Sequence, residues 1–341
     1  MDPQVLARAR AAFDLGEGEL RVTPGPRGAV GQMWRIDVAD RVLALKHVLT
    51  GPPPAPATVE AELVLAQAAA AAGVRLPASR PGADGQFVVG LPGGGWLRLY
   101  EWMDLRRSEP TVHPEALGVL LARLHTVAPP FRNEPDGTPP QGWYEVLPDD
   151  STWDRLLVGS SRAGVSWAPR LAAASTVLPA LRAVVAPTDP ERLRLCHRDL
   201  HPENVLADPG GELVLVDWDD VGPADPAREL AKTLVLSFHD GIPDLVAMRR
   251  TYLAYVGAGG PARLGSRADF TMLVASRLNF LSSQAKVALD QRATPRDRAW
   301  AEEEIDEGLR TLPAPDLIDA VLDAVGRTPP VEPGIVPVSV R

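Results

Sequence analysis

The sequence predicts an α+β chain, β-rich in its N-terminal third and mainly helical beyond it. Three observations carry this. Short stretches of period-two alternation crowd the N-terminal third. Helical periodicity dominates from residue 113 onward. One compact hairpin, within ENVLADPGGELVLVDW, interrupts the helical half.

Bulk properties narrow the function classes. The 341 residues suffice for two domains and a sizeable core, and 45% hydrophobic content marks a globular chain. A net charge of -9 argues against nucleic acid or an anionic membrane as main partner. No apolar run approaches the ~18 residues of a membrane span, and MDPQVLARARAAF lacks a signal-peptide core. Cys196 is the only cysteine, so no internal disulfide forms, which fits a reducing cytoplasm. In the apolar strand RLRLCH it reads as inert packing.

The first segment reads as a helix with Asp2 at the N-cap and Pro3 at the first helical position. Strands follow at 32–38 and 41–48, joined at Ala39-Asp40, after a loop carrying Gly25, Gly28 and Gly31. Lys46 stands in LALKHV, an otherwise apolar strand, and needs a partner or an anion. After the breaker GPPPAPA, the segment TVEAELVLAQAAAAAG predicts a helix from an N-cap at Thr58 to Gly73. QFVVGLPGGGWLRLY reads as a hairpin turning at 92–95, and its second strand runs into Glu101-Trp102-Met103-Asp104. HPEALGVLLARLHTV is an amphipathic helix over 113–127 in which His125 packs at the helix end. A proline-rich loop covers 128–142. Helical patterns then alternate with Pro/Gly breaks to residue 190, and Trp143, Tyr144, Trp153 and Trp167 read as core packing. Further helices are expected at 227–239, 243–256, 266–290, 297–310 and 315–325, before an irregular proline-rich tail.

The chemistry concentrates in His197-Arg198-Asp199-Leu200-His201-Pro202-Glu203-Asn204 and in Asp217-Trp218-Asp219. Gly210-Gly211 reads as a two-residue turn. That register sets Asn204 opposite Asp217, with Cβ atoms ~5 Å apart. An amide oxygen and a carboxylate so placed can share a hard cation such as Mg²⁺. Asp199, upstream on the loop, is free to point at a substrate.

H-R-D-L-x-x-x-N matches the catalytic loop of protein kinases. His-Pro-Glu-Asn followed by a hairpin to Asp-Trp resembles more closely the aminoglycoside phosphotransferase family, small-molecule kinases with a bilobal protein-kinase-like fold. The resemblance implies an ATP-dependent transfer in which Asp199 is the base and Asn204 and Asp217 hold Mg²⁺. It implies that Lys46 holds the nucleotide phosphates and pairs with a glutamate of the following helix. Glu60 and Glu62 compete for that role, and Glu62 fits the family pattern better. It also implies a hinge at Glu101 and Met103 whose backbone binds adenine, and so a small β-rich nucleotide-binding lobe over residues 1–103 and a larger, mainly helical catalytic and acceptor-binding lobe over residues 104–341. Asp225-Pro226-Ala227-Arg228-Glu229-Leu230-Ala231 resembles the family's structural G-D-P-x-x-D-L-A, with Ala224 for its Gly and Glu229 for its Asp.

A protein kinase is the competing reading. Asp217-Trp218-Asp219 departs from Asp-Phe-Gly, however, no Ala-Pro-Glu follows, and no room remains for a long activation loop. A non-catalytic kinase-like module is disfavoured by the intact Lys46, Asp199, Asn204 and Asp217. Eight acidic residues and only Arg310 as a base lie between Trp300 and Asp323. In the family this part of the chain contacts cationic substrates, so Glu303, Asp306 and Glu307, with Asp219 and Asp220, are expected to face a cationic small molecule, such as an aminoglycoside-like antibiotic. A neutral sugar or nucleoside-like metabolite is the alternative acceptor. The chain is expected to act as a monomer or homodimer.

Overall fold

Asp2 caps the first helix: its carboxylate accepts the backbone N–H groups of Gln4 and Val5, and Pro3 opens α1 (Pro3–Ala12) as expected. The computed structural model describes residues 1–28, 31–49, 51–108, 113–131 and 142–326. β1 (Leu20–Arg27), β2 (Gly31–Val38) and β3 (Arg41–Val48) form an antiparallel meander. The sequence pattern hides β1, because Pro24, Gly25 and Pro26 interrupt it. The strand tolerates them at the sheet edge, where a missing N–H breaks no second ladder. Gly25 therefore lies inside a strand and Gly31 opens the next, while the Gly28 N–H bonds to the Gly31 carbonyl at 3.0 Å.

α2 (Pro56–Ala71) begins earlier than Thr58 predicts. Pro56 takes the first helical position behind Ala55, so Thr58 falls within the first turn. Gly73 follows the helix with φ +81°. β4 (Ser79–Arg80), β5 (Val89–Gly90) and β6 (Trp96–Glu101) complete the sheet, in the order β1-β2-β3-β6-β4 with β5 also on β6. The β3–β6 register sets Lys46 directly opposite Arg98. Phe13, Leu15, Ile36, Leu43, Leu45, Leu97 and Leu99 form the core of this sheet. Leu65 and Ala69 of α2 instead join the larger core of the helical half.

That half starts with β7 (Arg106–Arg107) and α3 (Pro114–Val127). A short 3₁₀ turn, Gly142–Tyr144, precedes α4 (Asp150–Ala163), α5 (Ala168–Ser175) and α6 (Leu178–Arg182). β8 (Arg194–Cys196), β9 (Val205–Ala207), β10 (Leu213–Leu215) and β11 (Gly222–Ala224) carry the loop of interest. They form two small sheets, β10-β9-β7 and β11-β8. α7 (Pro226–Phe238), α8 (Leu245–Gly257), α9 (Thr271–Leu289), α10 (Pro295–Arg310) and α11 (Pro315–Gly326) follow, within a few residues of the expected spans. Trp153 and Trp167 are buried in the core, whereas Trp143 is exposed. Cys196 is fully buried, and burial pushes its thiol well above its ordinary pKa. Most of the 128–142 loop and the tail after Gly326 lie outside the described residues. Among the described residues no helix is long and apolar enough to cross a membrane.

α3 and α8 pack closely at Gly118, where a Cβ would sit 2.2 Å from the Thr251 carbonyl oxygen. Gly118→Ala is therefore expected to cost ~1–3 kcal/mol by overpacking, read as a lower denaturation midpoint. An unchanged midpoint would show that the two helices separate without cost.

Candidate active site

β8 leads into the loop 197–204, and its backbone kinks at once. Arg198 adopts φ +66°, a left-handed conformation uncommon for a residue with a side chain. α7 holds this kink. The Arg198 N–H donates to Glu229 Oε1, and Lys232 Nζ donates to the Arg198 carbonyl at 2.6 Å. Glu229 Oε2 also accepts from His125 Nε2 at 2.8 Å, while His125 Nδ1 is hydrogen-bonded to the Tyr255 hydroxyl at 2.9 Å. His125 is thus buried structure, as its place at a helix end suggests. His197 Nε2 donates to the Val216 carbonyl at 3.1 Å, and burial lowers the pKa of this ring. The Arg198 guanidinium donates to the Asp220 carbonyl at 2.6 Å and lies 4.9 Å from the centre of the Tyr144 ring.

Asp199 is gripped at both carboxylate oxygens. Lys232 Nζ donates to Oδ1 at 3.1 Å, Asn204 Nδ2 donates to Oδ2 at 3.0 Å, and His201 Nε2 lies 3.4 Å from Oδ2. Burial would raise the pKa of Asp199, but Lys232 and His201 outweigh it and hold the carboxyl well below its ordinary value. Asn204 Nδ2 also donates to the Asp199 carbonyl at 2.8 Å. Its amide nitrogen is therefore committed, and Oδ1 is the atom left to meet a cation.

The hairpin register differs by one residue from the expectation. Val205 pairs with Leu215, and the Asn204 carbonyl accepts the Val216 N–H at 3.0 Å, so Asn204 faces Val216 rather than Asp217. The turn explains the shift. The Gly211 N–H bonds to the Asp208 carbonyl at 3.0 Å, Gly211 itself has φ +87°, and the Asp208 N–H bonds to the Glu212 carbonyl. Three residues, Pro209-Gly210-Gly211, make the loop, with a left-handed glycine at its end. Asp217 follows in a left-handed conformation of its own, φ +60°.

Lys46 departs from the expected pairing as well. Its Nζ donates to Asp217 Oδ1 at 2.5 Å and to Asp219 Oδ2 at 2.6 Å. Burial would lower its pKa, but Asp217 and Asp219 outweigh that and hold it above its ordinary value. Glu62 is paired with Arg98, not with Lys46, and Arg98 also reaches Asp219 Oδ1 at 3.1 Å. Glu60 is exposed. Arg98 stands directly across the ladder from Lys46, and one guanidinium nitrogen, Nη1, serves both Glu62 and Asp219. Asp219 is thereby turned towards the β-rich half, away from the acceptor role expected of it.

The remaining expected residues scatter. The Glu101 side chain pairs with Arg80 at 3.0 Å, and its N–H bonds to the Ala78 carbonyl; Met103 is half-buried just past β6. Asp220 is half-buried, and burial and Asp199 raise its pKa. On α10, Glu303, Asp306 and Glu307 are exposed, and Asp306 is paired with Arg170. Half-buried Glu304 was not singled out in the sequence. Burial raises its pKa, Glu307 and Glu203 add to the rise, and Arg277 offsets part of it.

Residues 21–266 match the sequence model of the phosphotransferase enzyme family, a span that includes Lys46, Asp199, Asn204 and Asp217. The chain belongs to this family. It is a small-molecule phosphotransferase. No curated protein sequence matches it. Solved structures share its fold. A microcompartment-associated aminopropanol kinase superposes with a TM-score of 0.64 at 19% identity, covering 95% of this chain and 99% of its own. An amicoumacin kinase complexed with AMP-PNP, Ca²⁺ and its antibiotic gives 0.59 at 16% identity, covering 92% and 96%. A spectinomycin phosphotransferase bound to ADP and spectinomycin gives 0.57 at 14% identity, covering 94% and 97%.

Two groups at the centre of this phosphotransferase escaped the sequence reading, and each had a signal. Arg98 is a lone charge in the apolar strand WLRLY, the same clue that exposed Lys46. Lys232 stands one turn after Glu229 and opens an otherwise uncharged helical run, KTLVLSF. Both lie almost wholly inside, at 1% and 3% exposure, where an unpaired charge is costly. The donor set also suits a hard divalent cation: the Asp217 carboxylate is 43% exposed beside Lys46, and the Asn204 amide oxygen is free of its own nitrogen's commitments.

The Glu62–Arg98 pair gives a direct check. Glu62→Gln is expected to destabilise this phosphotransferase by ~1–3 kcal/mol, since it leaves the buried Arg98 guanidinium with Asp219 as its one carboxylate partner. Adding Arg98→Met should recover part of the loss in denaturant unfolding, whereas coupling between Lys46 and Glu62, relayed through Asp219 and Arg98, should be weaker than that between Arg98 and Glu62. Strong Lys46–Glu62 coupling with none at Arg98 would contradict the observed pairing.

Proposed function

We propose that the chain moves the γ-phosphoryl group of ATP to a hydroxyl of a small, positively charged acceptor, an aminoglycoside-like antibiotic or a related metabolite. The observation that carries this is Asp199, fixed at both oxygens directly after the kink in its loop, together with an Asp217 that holds the ammonium of Lys46. Phosphoryl transfer asks a protein mainly to position reactants and neutralise charge. Asp199 orients the acceptor hydroxyl and takes its proton as the new bond forms. Its depressed pKa keeps it ionised, and suits it to aligning the hydroxyl more than to stripping it early. Lys46 exchanges carboxylates for nucleotide phosphates when ATP enters. Asp217 and Asn204 hold Mg²⁺, which neutralises phosphate charge when bound. The backbone from Glu101 to Met103 receives adenine, so residues 1–103 form the nucleotide lobe and 104–341 the acceptor lobe. The ADP and AMP-PNP of the similar spectinomycin and amicoumacin enzymes support nucleotide use.

The acceptor's positive charge is inferred from Glu304, whose charge interacts with those of Glu307, Glu203 and Glu303 and is offset in part by Arg277; Glu203 belongs to the same loop as Asp199. A concentrated negative face raises the local concentration of a cation. The single buried thiol fits a reducing cytoplasm, where ATP is plentiful, and antibiotic resistance is one role such an enzyme fills there. A panel of hydroxylated cations and neutral metabolites, scored by ADP release, tests the reading. With the best acceptor, KM is expected to climb with salt as the screening length falls from ~10 Å at 0.1 M to ~3 Å at 1 M. Glu304→Gln with Glu307→Gln should flatten the climb, and Asp306→Asn, already neutralised by Arg170, should not. A best acceptor that is neutral, with a flat salt profile, rules out the cationic class and favours a sugar or nucleoside-like metabolite.

A further inference from the structure

We propose that Lys232 is a positioning residue for phosphoryl transfer, setting the orientation of Asp199 and locking the kink that presents it; this rests on the phosphotransfer role given to Asp199 above. Lys232 lies on α7, outside the loop and hairpin that carry the family motif, and no nucleotide or metal role falls to it. Its ammonium is 3% exposed. A charge kept there must be compensated or it would not be tolerated. Its contacts account for it fully: the Arg198 carbonyl at 2.6 Å, Asp199 Oδ1 at 3.1 Å, and the Tyr144 ring at 5.3 Å.

The geometry is specific to the kink. Glu229 and Lys232 are three residues apart and so share one face of α7. Glu229 takes the N–H of Arg198, and Lys232 takes its carbonyl. One helix face thus binds both polar groups of the one left-handed residue in the loop. A non-glycine residue in that conformation persists only where its surroundings over-determine it. Lys232 then extends the grip to the next residue's side chain. It holds Oδ1 of Asp199 while Asn204 and His201 hold Oδ2, so rotation of the carboxylate is blocked from both sides. Asp220 lies close enough to Asp199 for their charges to interact. Removing the ammonium would take away one of the two cations, the other being Arg198, that offset the charge of Asp220.

The test needs no identified acceptor, because water can serve as one. Lys232→Met keeps the apolar stem and removes the charge. ATP turnover is expected to fall roughly 10²-fold, the size of a small misplacement of a catalytic group, with the KM for ATP little changed, since Lys46 is untouched. In Lys232→Ala, propylamine should restore part of kcat, and propan-1-ol, its neutral counterpart, should not. Hydrogen exchange across residues 197–205 should quicken in Lys232→Met while α3 and α9 keep their protection. Turnover within about threefold of wild type, or unaltered exchange in the loop, overturns the proposal. Equal loss of kcat and ATP affinity with a collapsed unfolding midpoint overturns it too, since that marks general damage. A wild-type protein that turns over no ATP with any acceptor sinks the phosphotransfer reading instead, and the exchange measurement still decides the role of Lys232.

Discussion

Asp199→Asn is expected to lower transfer by ~10²–10⁴ while nucleotide affinity stays within a few-fold of wild type, the span of a lost general base. The substitution keeps size and shape but reverses hydrogen bonding at one oxygen. In the wild-type chain both oxygens accept, one from Lys232 and the other from Asn204. An asparagine can satisfy only one side. If its oxygen meets Lys232, its own N–H₂ faces the N–H₂ of Asn204. Lys232 also loses its neutralising charge inside the protein, so some stability should go with the rate. Single-turnover transfer alongside ADP binding separates the two effects. More than about a tenth of wild-type turnover in the variant would show that another residue orients the acceptor.

Asp217→Ala carries the second large effect. It removes the charged member of the proposed cation pair and one of the two carboxylates that hold Lys46. The Mg²⁺ concentration giving half-maximal activity should rise steeply, because a carboxylate contributes far more than an amide to a hard cation. Asn204→Ala should raise it less. It should also lower kcat at saturating Mg²⁺, because Asn204 Nδ2 steadies Asp199. Titrating Mg²⁺ against ATP turnover reads both. Unchanged metal dependence in both variants contradicts the assignment of Asp217 and Asn204.

The helical half was largely legible because its helices announce themselves locally. Asp225-Pro226 and Thr294-Pro295 each put a capping side chain before a proline in the first turn, and both side chains cap their helices. The fold class followed from this together with the strand pairs 32–38 and 41–48. β1 was hidden because Pro24 and Pro26 are strand breakers everywhere except at an edge, and only the assembled sheet reveals which strand is the edge. The hairpin register slipped because Gly210-Gly211 serves equally well as a two-residue turn or as the end of a three-residue loop. Asp199, Asn204 and Asp217 could be picked out by spacing along the chain. The partners that set their chemistry could not. Arg98 meets Glu62 across 36 residues, and Lys232 meets Asp199 across 33. Such meetings are fixed by strand register and helix packing, not by any local pattern. Lys46 misled for the same reason, since its burial required a counter-charge without naming one.

The most direct measurement follows the phosphorus. ³¹P NMR of the enzyme with Mg²⁺, ATP and the best acceptor from the panel should show ADP and a new phosphomonoester rising together in equal amounts, and Asp199→Asn should remove both signals while still binding nucleotide. Release of AMP, or of inorganic phosphate alone in the presence of every acceptor, would contradict transfer of the γ-phosphoryl group to a small-molecule hydroxyl.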